Sequence, residues 1–124
     1  MTVTRRFTLA YAAGRATFGL ALLGPPAWAS ERWIGEDARR PPTGVAMRGL
    51  AVRDLVLALG TADAIRRDGE VLPWLVATVA GDLGDIAVSL AAGDALPKSA
   101  RWGTPALAGA SAAAGLALAV ADAR

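Results

Sequence analysis

The sequence contains no cysteine and no histidine. The first absence excludes disulfides, thiol nucleophiles and thiolate metal sites. The second removes the commonest general base and the commonest metal ligand. Carboxylates could still hold a metal, but arginines occupy the same stretches and would repel it, so neither metal nor cofactor is expected. Aromatic residues are scarce, at 6%, and β-branched residues are few, which favours helices over strands. No basic run alternates with aromatics and the formal charge is only +2, so nothing supports nucleic-acid binding.

What the chain does have is apolar sequence in long blocks. Its 124 residues suit one compact unit, 54% of them are hydrophobic, and mean hydropathy is +0.39. Unbroken blocks, as opposed to stripes at helical spacing, point to helices that face lipid. Four blocks lie at about 7–24, 43–65, 71–92 and 104–123. Each approaches the ~20 residues needed to cross a bilayer. They predict an all-α fold, a four-transmembrane-helix bundle forming a single integral membrane domain over residues 1–124.

The connections carry stop and start signals. Pro25-Pro26 closes the first block, since a helix ends readily before such a pair. Residues 27–35 hold Trp28, Trp33 and Ile34 among Ser30, Glu31 and Arg32, an amphipathic piece suited to the lipid–water boundary. Thr43 follows Pro41-Pro42 and is the expected cap of the second block. Arg66, Arg67, Asp68 and Gly69 end that block. Pro73 falls in the first turn of the third, Trp74 is placed as an interfacial anchor, and Gly93, Asp94 and Pro97 end it. In the fourth, Thr104 is the expected cap and Pro105 the first helical position, with Trp102 just outside.

Orientation in a cell inner (plasma) membrane, with several passes, is weakly encoded. Four spans would put Arg5, Arg6, Arg66, Arg67 and Arg124 on one side and Arg32, Arg39, Arg40, Lys98 and Arg101 on the other. The basic totals are equal, so only Arg5-Arg6 before the first span favours a cytoplasmic N-terminus. A competing reading takes Arg5-Arg6, the first block and Ala27-Trp28-Ala29 as a cleavable signal peptide, with a twin-arginine flavour at Thr4-Arg5-Arg6-Phe7. Arg15, inside the apolar stretch, speaks against it.

Six charges interrupt the blocks: Arg15 in the first, Arg48, Arg53 and Asp54 in the second, Asp82 and Asp85 in the third. A charge at membrane depth is costly and persists only against protein or water. Together they predict a buried polar centre, formally neutral. With a rise of ~1.5 Å per residue, Arg48 falls about 8 Å deep and Asp85 about 10 Å, while Arg53, Asp82, Arg15 and Asp54 lie near mid-depth. Matching opposite charges by level pairs Arg48 with Asp85, Arg53 with Asp82, and Arg15 with Asp54. Helical angle restrains this scheme, because Arg48 and Arg53 are about 140° apart on one helix. Gly81 and Gly84 flank the two carboxylates, and Gly109, Ser111, Ala112, Gly115 and Ala119 give the fourth block a nearly smooth surface fit for close packing.

Several motifs resemble a group of small four-span bacterial membrane proteins, many actinobacterial, known only as a domain of unknown function. They are Arg15 with Gly19; Trp33-Ile34-Gly35 followed by Ala38-Arg39-Arg40-Pro41; Arg48-Gly49-Leu50; Arg53-Asp54-Leu55 and Leu59-Gly60; Trp74-Leu75; and Gly81-Asp82 with Asp85. The resemblance covers about residues 15–92 and implies a multi-span membrane protein without assigning an activity. A likeness in size to small four-span multidrug exporters is architectural only, since those carry a glutamate in the first span where this chain has Arg15.

The sequence thus reads as a non-enzymatic membrane component or a subunit of a larger complex, with the lipid bilayer and a homodimer or larger membrane assembly as partners. The alternative is a small transporter or permease whose Arg/Asp cluster binds a charged solute or relays protons. Catalysis ranks third: Asp82 and Asp85 could serve as acid and base, but no nucleophile, metal site or phosphate loop accompanies them.

Overall fold

In the computed structural model, described for residues 1–24 and 27–124, the chain is all-α. Five helices follow one another: α1 Val3–Leu23, α2 Trp28–Ile34, α3 Pro41–Arg66, α4 Leu72–Ala92 and α5 Lys98–Asp122. Short 3-10 turns at Glu36–Arg39 and Gly93–Ala95 lead into α3 and α5. Thr2 caps α1, its hydroxyl accepting from the Arg5 amide at 3.2 Å. Pro25-Pro26, the expected stop of the first helix, lie outside the described residues.

Two helix starts differ from expectation. Thr43 does not cap α3; the helix begins two residues earlier, with Pro41 and Pro42 in its first turn. Proline suits that turn because its missing N–H would have had no intrahelical partner. α5 begins at Lys98, so Thr104 is interior, Trp102 is a helix residue and Pro105 lies inside the helix. The added turns are held locally. Ala100 is buried, and its amide and that of Arg101 donate to the Pro97 carbonyl at 3.0 and 2.9 Å. Arg101 also pairs with Asp94 at 2.6 Å.

α1 packs along α3, and α4 along α5. Small residues set both close approaches. A Cβ on Gly19 would sit 3.0 Å from the Ala51 carbonyl oxygen, and one on Gly115 would sit 2.8 Å from the Tyr11 hydroxyl and 2.9 Å from Val79. The two pairs meet less extensively, α1 against α5 and α3 against α4. At one end Arg5 reaches from α1 to the α3–α4 connection, donating to Asp68 at 2.7 Å and to the Gly69 carbonyl at 3.2 Å. At the other end α2 packs against α5 and α1 and is tied to α4 by Trp33 Nε1, which donates to Ser89 Oγ at 3.2 Å. Trp74 is half-buried, with its ring over Gly60.

The apolar core is split. One cluster, Ile65, Val71, Leu75 and Ala119, lies at the Arg5 end. The other, Leu22, Met47 and Ala51, lies toward α2 and takes Trp33 and Ile34 against it. Arginine and aspartate side chains occupy the space between them. Outside, the surface carries Val52, Val56, Leu59, Val76, Leu83, Val88, Leu107 and Leu116, all at least half exposed. Two helical stretches, Leu72–Ala95 and Lys98–Asp122, are long and apolar enough to cross a membrane. α1 and α3 are of similar length but carry arginine and aspartate in their interiors.

Candidate functional site

Five of the six predicted charges meet in the space between the helix pairs. Arg15 of α1 is the hub. Its guanidinium donates to Asp54 of α3 at 3.0 Å, to Asp82 of α4 at 2.6 Å and to Ser111 Oγ of α5 at 3.0 Å. One side chain thereby ties all four long helices. Arg53 of α3 forms a two-pronged pair with Asp85 of α4, at 3.0 and 2.8 Å. It also donates to Asp54 at 3.2 and 3.0 Å. The planar fork of arginine matches the two oxygens of a carboxylate, which makes such pairs both strong and orientation-specific.

The level-matched pairing is therefore corrected in two places. Asp82 takes Arg15, and Arg53 takes Asp85. Gly81 explains the second exchange: the Arg53 guanidinium lies across it, 3.5 Å from where a Cβ would be. That flat passage carries the fork past Asp82 to the next turn. Asp82 and Asp85 share a face of α4 in the broad sense, but one turns to α1 and α5 and the other to α3.

Arg48 is the third correction. It is exposed and enters no ion pair among the described residues. At ~100° per residue it lies about 140° from Arg53 and about 120° from Asp54 around α3, so it cannot point inward when they do. Its guanidinium folds back one turn over Gly44, 3.6 Å from where a Cβ would be, toward the start of the helix. A long cationic side chain behaves this way when its stem lies on apolar surface and its head seeks water.

With Arg48 removed the cluster is not neutral. Three carboxylates face two guanidinium groups. The cluster is deep on one side and open on the other: side-chain exposure is 8% for Arg15, 1% for Asp54 and 5% for Asp82, but 13% for Asp85 and 34% for Arg53. Asp54 is used asymmetrically. Its Oδ1 accepts from both arginines, while its buried Oδ2 has no hydrogen-bond partner, and neither has Arg15 Nε. No group of three acidic side chains among the described residues is arranged to hold a metal ion.

Two participants were not singled out as polar in the sequence. Ser111 donates to Asp82 Oδ2 at 2.7 Å, and Tyr11 hydrogen-bonds Ser111 at 3.0 Å to its carbonyl and 3.1 Å to its hydroxyl. The Arg15 guanidinium also lies 5.9 Å from the Tyr11 ring centroid. Both had a readable signal. Tyr11 is four residues before Arg15, hence on the same helix face, and Ser111 is a lone polar residue deep in an Ala/Gly/Leu block.

A cavity of about 710 Å³ adjoins the cluster. α1 and α5 form its walls, Trp28, Arg32 and Trp33 of α2 lie across one end, and Arg15, Asp54, Asp82 and Asp85 line its base. No protein-family model matches the chain, and neither a curated protein nor a solved structure is significantly similar to it.

Proposed function

We propose that the chain is a four-span integral membrane protein, a non-enzymatic membrane component whose helices are registered by an ionic core. One observation carries this reading: between two small apolar clusters the arginines and aspartates of the long helices turn toward one another, while many valines and leucines face outward. Water-soluble proteins bury the second class and expose the first. In hydrocarbon the preference reverses, because a lone ion is intolerable and an apolar side chain costs nothing. The charges that keep α1 and α3 from reading as obvious spans, Arg15, Arg53 and Asp54, are those that turn inward.

The paired ends fit the same reading. Arg5 binds the α3–α4 connection, so both belong to one face, while α2 and the α4–α5 connection belong to the other. Trp28 and Arg32 on α2 suit a lipid–water boundary. The motifs resembling small four-span bacterial membrane proteins agree with this, and Arg5-Arg6 before α1 favour a cytoplasmic N-terminus within the proposed topology.

Because the chain is free of cysteine, single cysteines test the topology directly. In membranes, Leu83→Cys and Val56→Cys should resist an aqueous maleimide. Arg67→Cys and Asp37→Cys should react, each from the opposite side. Labelling of Leu83→Cys as fast as Arg67→Cys, or recovery of the chain in the soluble fraction, refutes the reading.

The cavity beside the cluster favours a second reading, a carrier or receptor for a small solute. Asp82→Asn separates the two: lost flux with intact folding supports transport, whereas misfolding rescued by changing Arg15 supports a structural ion pair.

A further inference from the structure

The cavity between α1 and α5 joins two unlike surfaces. Its walls include Phe18, Leu22, Leu107 and Ala108, and its base holds Asp54, Asp82 and Asp85. The volume of about 710 Å³ lies in the range of small-molecule sites, ~300–1,000 Å³. The formal charge at the base follows from counting the paired side chains described above. Two arginines are engaged by three aspartates, which leaves one negative charge over. Arg32 at the rim is exposed and stacked 6.0 Å from the Trp28 ring centroid, where solvent screens it. It does not reach the surplus.

The geometry also names the acceptor. Asp54 has a side chain only 1% exposed, and its Oδ1 is occupied by N–H donors from Arg15 and Arg53. Its Oδ2 is buried without a partner, in a residue that lines the cavity. An uncompensated buried charge is strongly unfavourable, and a buried acceptor without a donor adds to that cost. An anion would worsen both deficits and a neutral apolar molecule would relieve neither. A bare metal ion would leave the apolar walls unused. A cation that carries an N–H donor and an apolar body answers the formal charge count, the free acceptor and the apolar walls, and leaves only the buried Arg15 Nε without a partner.

We propose that this cavity binds an amphipathic amine, whose ammonium donates to Asp54 Oδ2 and whose apolar body lies between Phe18 of α1 and Leu107 of α5. The inference rests on the membrane reading, since a lipid surround is what would deliver such a molecule to the α1–α5 cleft.

The test uses the whole chain in nanodiscs of zwitterionic lipid, with dansylcadaverine as probe and its N-acetyl derivative as the uncharged control. The amine should bind saturably and about tenfold or more tightly than the acetylated form, the worth of a charge-assisted hydrogen bond. Gly14→Leu and Gly103→Leu place bulk on the cavity lining, where an added Cβ meets no atom within 4 Å. Each should weaken binding about tenfold without touching the ionic cluster. Asp54→Asn should abolish the preference for the amine. If that variant fails to fold, the two glycine variants still decide. Equal binding of amine and acetylated probe, or wild-type binding by both leucine variants, overturns the proposal. A chain that reconstitutes with the expected cysteine labelling yet binds neither probe removes this inference alone. A chain that never enters the bilayer removes the membrane reading instead.

Discussion

Arg15 and Asp82 lie 67 positions apart in the chain and 2.6 Å apart in space, with Ser111 hydrogen-bonded to both. The contact joins α1 to α4 and draws α5 into the same knot. It also fixes the spacing between the two helix pairs, which otherwise touch less closely than the helices within each pair.

The first prediction contrasts two arginines that look alike in sequence. Arg15→Ala leaves Asp82 without its arginine partner and Asp54 with Arg53 alone, and should cost about 3–5 kcal/mol. Arg48→Ala removes an exposed side chain and should stay within about 0.5 kcal/mol of wild type. Reversible unfolding in mixed micelles measures both. Comparable losses would mean that Arg48 belongs to the cluster after all.

Arg53→Lys keeps the charge but loses the fork. An ammonium cannot span both Asp85 oxygens while also meeting Asp54, so a loss of about 1–3 kcal/mol is expected. The exchange Arg53→Asp with Asp85→Arg should recover part of what each single change loses. A double-mutant cycle reads that coupling, and strict additivity would show the pair to be energetically inert.

Ser111→Ala deletes a hydroxyl that donates to Asp82 and accepts from Arg15. About 1–3 kcal/mol should be lost, since a buried charged partner loses its hydrogen bond. Tyr11→Phe should cost less, about 1 kcal/mol, because Ser111 keeps its other partners. Thermal melting of the two variants in one detergent gives the order, and a reversed order would place Tyr11 above Ser111 in holding α1 to α5.

Gly60 lies beneath the Trp74 ring, where any Cβ would collide with the aromatic carbons. Gly60→Ala should therefore destabilise by about 1–3 kcal/mol through overpacking, despite alanine's better helix propensity. In a Trp74→Leu background the penalty should shrink or change sign. An unchanged penalty would locate the strain elsewhere on α3.

The residue types alone determined a good deal here. Long Ala/Leu-rich blocks with few aromatic residues give helices, because alanine and leucine lose little freedom on that backbone. Prolines at 41 and 73 and glycine at 93 mark helix ends for reasons of local sterics. The presence of an Arg/Asp interior was also legible, since ionic side chains inside otherwise apolar helices have few other places to go. The α5 start was not, because Ala100 and Arg101 are held by contacts with the preceding turn and not by any cap of their own. Partner choice was not legible either. Rise per residue gives depth along one axis, but pairing depends on which helices are neighbours and how each is rotated. Only the packed fold sets α1 beside α3 and α4 beside α5, turns Arg48 out over Gly44, slides Arg53 across Gly81 to Asp85, and so leaves three carboxylates facing two guanidinium groups beside an apolar cleft.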